Sequence, residues 1–153
     1  MDRMEDMQGM EDYHTIRALV TACKEGDMNT ATSLIKAENV NCVVDSRTPL
    51  ITAIHYQQQE MVEMILEMEE VDVNQAVAGW TALHEACFIN NVPAIRAVFR
   101  WGKGVQMNLL DGDGYTPIMI AIWFDRVEAV KELLANKEVE LEVDGQEIEE
   151  LAG

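Results

Sequence analysis

The 153 residues are 48% hydrophobic and 25% charged, a globular balance that excludes a disordered chain and leaves room for one domain with a sizeable core. With 28 acidic against 11 basic residues, the net charge of -17 repels nucleic-acid phosphates and anionic membrane surfaces and suits a basic partner, although acidity also serves solubility. The start, Met1-Asp2-Arg3-Met4-Glu5-Asp6, lacks the basic and apolar regions of a secretory signal, and no stretch approaches the roughly 18 apolar residues of a membrane span. The expected setting is therefore intracellular, in cytoplasm or nucleus. Cys23, Cys42 and Cys87 are odd in number and scattered, which fits reduced thiols.

Residues 1–11, rich in Met and acid, form an N-terminal segment that is either frayed or an extension of the first helix. Residues 12–153 are expected to form a single domain of four repeats, near 12–46, 47–79, 80–114 and 115–153. The first opens on a capping helix, Tyr13-His14-Thr15-Ile16-Arg17-Ala18-Leu19. The second opens on Arg47-Thr48-Pro49-Leu50, a turn, a capping hydroxyl and an early proline, then continues through Ala53 to a helix carrying Met61, Val62, Ile65 and Leu66. Val73-Asn74 and Gly79-Trp80 lead to Thr81-Ala82-Leu83-His84, where the pattern restarts and runs through Ala86-Cys87, Ile95, Val98 and Met107-Asn108. The fourth opens on Asp113-Gly114-Tyr115-Thr116-Pro117-Ile118 and continues through Ala121, Val130, Leu133 and Leu134. Glu138 to Val143 alternates acid with apolar before Asp144-Gly145, which predicts a last finger followed by a truncated capping helix from Gln146 to Leu151.

Three columns carry the repeat. Leu19, Leu50, Leu83 and Ile118 are 31, 33 and 35 residues apart; Ala22, Ala53, Ala86 and Ala121 share those steps, as do Leu34, Ile65, Val98 and Leu133. A helix-turn-helix unit of this length cannot bury its apolar face alone, so neighbours must stack and share a core. The fold class is an all-α repeat solenoid. The small-residue column is expected to lie buried between helices.

The order of signals resembles the ankyrin repeat: Gly-x-Thr-Pro-Leu-His, a small-residue pair, a Leu-Leu helix, then Val-Asn before the next turn. The resemblance covers about residues 12–150 and implies a stack of antiparallel helix pairs joined by β-hairpin-like fingers, with inner helices and finger tips forming a concave binding surface. The family histidine is present as His84, while Ile51 and Met119 stand in the matching places. A narrower likeness joins Gly79-Trp80-Thr81-Ala82-Leu83-His84-Glu85-Ala86-Cys87 to ankyrin domains that read the unmodified tail of histone H4, such as that of Tonsoku-like. There the matching Trp and Glu hold basic residues of the tail together with an Asn that is Phe88 in this chain.

Chemistry is not legible. His84-Glu85 begins a zinc-protease motif whose second histidine is replaced by Phe88. Asp111-Gly112-Asp113-Gly114 fails as a calcium loop, because Leu109 and Ile120 fall where carboxylates are needed. No phosphate loop or nucleophile elbow is present. The chain is read as non-enzymatic, with no catalytic residue, cofactor or metal.

In the ankyrin pattern, the residues after the small pair project toward the concave face: His55 and Tyr56, Phe88 and Ile89, Trp123 and Phe124. Trp80 and Tyr115 stand beside them on the fingers, flanked by Asp45, Asp111 and Asp113, and Glu85 comes from the inner helix and is expected to face the groove. Exposed aromatics in one register mark an interaction site, and acid beside aromatic suits lysine or arginine. The expected function is a protein-interaction module or adaptor whose groove binds a basic or amphipathic peptide or protein segment. An inhibitor resembling the I-kappa-B type, covering a basic transcription-factor surface with help from the acidic tail 138–150, is the alternative, as is a histone H4 tail reader. Direct nucleic-acid or membrane binding is not expected, and the chain is expected to be monomeric.

Overall fold

The computed structural model describes the backbone of residues 2–136, 142–143 and 146–147, and the side chains of residues 12–136. Its helices form two compact bodies, Met1–Val71 and Asp72–Gly153. Among the described residues no helix is long and apolar enough to cross a membrane.

The first body contains α1 (Asp2–Glu25), α2 (Met28–Leu34), α3 (Pro49–His55) and α4 (Gln59–Glu67). Helix α1 packs on α2 and α3, and α3 packs on α4. Of the two readings of the N-terminal segment, the helical extension is the one realised from Asp2. Thr48 caps α3 by accepting from the Ile51 amide at 3.1 Å, with Pro49 at the first helical turn where its missing N–H costs nothing. The finger between α2 and α3 turns at Asp45 and Ser46, both with positive φ, so that Val44 and Arg47 pair across a tight two-residue turn.

The second body contains α5 (Ala82–Phe88), α6 (Val92–Trp101), α7 (Pro117–Trp123) and α8 (Val127–Leu134), then β1 (Glu142–Val143) paired antiparallel with β2 (Gln146–Glu147). Inner helices α5 and α7 pack on one another, each backed by its outer partner, α6 or α8. The finger expected near the C-terminal end is the β1–β2 hairpin. The helix expected from Gln146 is not what forms there, since Gln146 and Glu147 are strand; its remainder, like the acidic alternation at 138–141, lies outside the described residues.

The columns form the cores. Ala22, Ala53, Ala86 and Ala121 are all buried, as are Leu19, Leu50, Leu83 and Ile118. Small side chains there let the helices of a pair approach closely, and enlarging one would strain the packing. Leu34, on the seven-residue α2, differs from Ile65, Val98 and Leu133 in being half-buried. Cys23 and Cys87 are buried in the small column and burial raises both thiols, Cys23 to about 12, so these are packing residues rather than reactive ones.

Two further columns become visible in three dimensions. Gly26, Gln57, Asn90 and Asp125, at the turn between inner and outer helix, all have positive φ, a conformation glycine and asparagine hold most easily. The asparagine of the Val-Asn signature ties one repeat to the next: Asn41 donates to the Glu70 carbonyl at 2.7 Å, and Asn74 donates to the Gly104 carbonyl while accepting from the Gln106 amide, both at 2.8 Å. That bonding satisfies loop backbone that would otherwise need water.

Candidate functional site

Helix α5 begins with Thr81 as its cap, which receives the His84 amide at 3.3 Å. His84 completes a reciprocal box, its Nδ1 accepting from the Thr81 amide at 3.2 Å and facing the Thr81 hydroxyl at 2.8 Å. Its Nε2–H donates to the carbonyl of Tyr115 at 2.8 Å, fixing the finger before α7 against α5. At α7 the same role falls to Met119, whose sulfur accepts weakly from the Thr116 amide at 3.5 Å. Ile51 offers no acceptor.

These partners hold His84 as the neutral Nε2–H tautomer, since a proton on Nδ1 would face the Thr81 N–H. Burial lowers its pKa below the usual 6.5, against a smaller opposing effect from the Tyr115 carbonyl and Asp111. A histidine depressed in the folded state contributes stability that is complete above the unfolded value and lost as pH falls through the folded one, because below about 6.5 the unfolded chain binds the extra proton first. Urea midpoints of the parent should therefore fall on acidification from pH 7.5 to 5, and those of His84→Gln should fall less. Parallel pH profiles for the two proteins would refute this assignment.

The finger before α7 is organised by Asp111. Its Oδ1 accepts from the amides of Asp113 at 2.9 Å and Tyr115 at 2.8 Å, and its own amide donates to the Tyr115 carbonyl at 2.8 Å. These bonds place Asp111, Asp113 and Tyr115 beside the ends of α5 and α7. A cavity of about 380 Å³ opens there, lined by Trp80, Phe88, Asp111, Asp113, Tyr115, Ile120, Trp123 and Phe124. The rings support one another: Trp80 stacks on His84 with centroids 5.3 Å apart, and Phe88 meets Trp80 and Phe124 edge-on at 5.9 and 4.9 Å. Trp123 leans over Tyr115 at 6.3 Å and remains 64% exposed.

Seven residues singled out in the sequence thus line one cavity, and Ile120, its apolar floor, was not among them. Four others fall elsewhere. Ile89 caps the end of α5, half-buried and outside the lining. His55 and Tyr56 belong to the first body, where Lys24 and Arg47 approach the Tyr56 ring at 5.2 and 5.9 Å. Cations of the chain itself occupy that ring, so it is a poor seat for a basic ligand.

Glu85 requires a correction. Expected to be exposed to the groove, it is only 6% exposed, and its Oε2 accepts from the Trp80 indole N–H at 2.6 Å. Helix α5 is buried at every position from Ala82 to Cys87, so it has no solvent face on which a carboxylate could stand. Glu85 orients Trp80; the carboxylates lining the cavity are Asp111 and Asp113.

The profile for ankyrin repeats in three copies matches residues 6–77 and 68–144. Over 106 residues, 68% of this chain and 10% of the relative, the chain is 32% identical to the human "SMC5-SMC6 complex localization factor protein 1". It is 26% identical over 87 residues, 53% of the chain and 38% of the relative, to the "Probable 26S proteasome regulatory subunit p28" of Saccharomyces cerevisiae. With the "Putative ankyrin repeat protein FPV031" of Fowlpox virus it shares 28% over 126 residues, 78% of the chain and 36% of that protein. The chain spans between 10% and 38% of these relatives' lengths. Repeated columns, capped inner helices, hairpin fingers and the matching profile lead to one assignment: the chain belongs to the ankyrin-repeat family, whose repeats are protein-interaction modules.

Proposed function

We propose that the cavity of the second body is the binding site of a protein-interaction module and takes a lysine or arginine of a basic or amphipathic peptide segment. The observation that carries this reading is the joint lining of one cavity by Trp80, Phe88, Tyr115, Trp123 and Phe124 with the carboxylates of Asp111 and Asp113. A cationic head would pair with the carboxylates while its stem or guanidinium lies on a ring, gaining roughly 0.5–2 kcal/mol from the ring face. The surrounding net charge of -17 would steer such a segment toward the chain. Ring packing fixes Trp80 and Phe88 before any ligand arrives, so little side-chain entropy is lost on binding.

A histone H4 tail is a specific candidate for that segment. It is favoured by the likeness of Gly79–Cys87 to ankyrin domains that read this tail and by the Trp80–Glu85 bond, which sets the indole in the cavity wall. In this chain Asp111 and Asp113, rather than Glu85, would meet the basic residue.

Trp123 separates binding from folding. Because its ring is largely in solvent, Trp123→Ala should change unfolding stability by no more than about 0.5 kcal/mol. The same truncation should weaken an unmodified H4 tail peptide by about 2 kcal/mol, more than tenfold in Kd, as expected of an aromatic anchor. Calorimetric titration with that peptide and with a second, unrelated basic peptide provides the measurement. Retained affinity in Trp123→Ala would remove the cavity as the site, and equal affinity for the two peptides would remove the histone reading while leaving the basic-peptide one.

A further inference from the structure

The first body gathers positive charge in a chain that has little of it. Three of the 11 basic residues, Arg17, Lys24 and Arg47, line a single cavity of about 280 Å³. They reach it from separate places: Arg17 and Lys24 stand on α1, two turns apart, and Arg47 is the last residue of the finger before α3. Tyr56 also lines it, with Lys24 Nζ 5.2 Å and the Arg47 guanidinium 5.9 Å from its ring centroid. Arg47 is also held by His55, whose Nε2 lies 3.4 Å from its Nη2.

Two cations drawn to one ring repel each other, and the lining supplies little to offset that repulsion. Asp45 is its one carboxylate, 3.6 Å from Arg17, and its side chain is 80% exposed, so the pair is screened by solvent. Three positive charges against one negative leave about +2 at the cavity, within a chain of net charge -17. The hydroxyl of Thr21 adds a neutral donor at the rim.

A charge near +2 with forked guanidinium donors and an ammonium matches the dianion of a phosphate monoester, which carries about -1.5 to -2 at neutral pH. A carboxylate would leave one positive charge uncompensated. A nucleic-acid strand brings one charge per phosphodiester and many of them, which the acidity of the whole chain opposes. We propose that this cavity binds a phosphorylated side chain of a peptide partner. The site shares no lining residue with the cavity around Trp123 and takes a ligand of opposite charge.

The test is an NMR titration of the full chain, at fixed ionic strength, with a capped neutral peptide bearing one phosphoserine. Its counterparts carry serine or glutamate at that position, and a thymidine oligonucleotide supplies phosphodiesters. Saturable shifts at Thr21, Lys24 and Arg47 are expected with the phosphoserine peptide, with the glutamate peptide at least about tenfold weaker and the serine peptide silent. Lys24→Gln and Arg47→Gln should each weaken the phosphoserine peptide by about tenfold, while Arg96→Gln, on α6, should leave it unchanged. Lys24 is exposed, so its variant carries the test even if Arg47→Gln disturbs the finger. Equal response to serine and phosphoserine, equal affinity for the glutamate peptide or for the oligonucleotide per phosphate, or indifference to Lys24→Gln would each overturn the proposal.

Discussion

Glu85→Lys is expected to unfold the second body well before the parent, at a cost of about 3–5 kcal/mol, the range found when a buried charge is left without a partner. Two losses combine. The indole N–H of Trp80 loses an acceptor 2.6 Å away, and an ammonium is introduced at a position only 6% exposed, within the stretch from Ala82 to Cys87 that is buried at every position. Glu85→Gln is the companion variant, because its amide oxygen can still accept from the indole, and it should cost about 1 kcal/mol. Against a total stability of order 5–15 kcal/mol, the first change removes a large part and the second little. Urea unfolding followed by tryptophan fluorescence reads both. A Glu85→Lys midpoint equal to that of the parent would show that the carboxylate is not needed where it lies.

Glu85 also shows where sequence reasoning stops. The columns of Leu19, Ala22 and their equivalents are legible because packing between neighbouring repeats imposes the same residue type every 31 to 35 positions. The finger carrying Asp111 and Tyr115 is legible for a different reason: Gly and Asp in alternation have few other uses than a tight turn. Glu85 is misread because periodicity assigns each helix a wet face, whereas the seven-residue α5 is enclosed by its neighbours and by the finger that His84 holds down. Ile120 escapes notice for the complementary reason, since an apolar residue on an inner helix looks like core even where it floors a cavity. The basic cavity is invisible in the sequence, as Arg17, Lys24 and Arg47 share no period and meet only because the finger folds back toward α1. The positive-φ column is hidden too, because three of its four members, Gln57, Asn90 and Asp125, are not glycine.

Gly79→Ala should destabilise the second body by about 2–4 kcal/mol and impair the cavity around Trp123 with it. Gly79 has φ near +82°, which alone costs a residue with a Cβ about 1–2 kcal/mol. The added carbon would also lie 2.5 Å from the Gly112 nitrogen and 2.7 Å from the Asp111 carbonyl carbon. Both are backbone atoms and cannot swing aside as a side-chain terminus would. The finger bearing Asp111 must therefore move, disturbing the bonds from Asp113 and Tyr115 that shape the cavity wall. Gly114→Ala is the matched control: its φ is similar, +86°, but nothing lies within 4 Å of the new carbon, so it should show only the conformational cost of about 1–2 kcal/mol. Unfolding midpoints and basic-peptide affinity measured on both variants separate backbone conformation from collision. Equal losses would mean that the finger yields freely to Gly79; a larger loss in Gly79→Ala, in stability and in binding alike, would tie the shape of the site to the close approach of the two fingers.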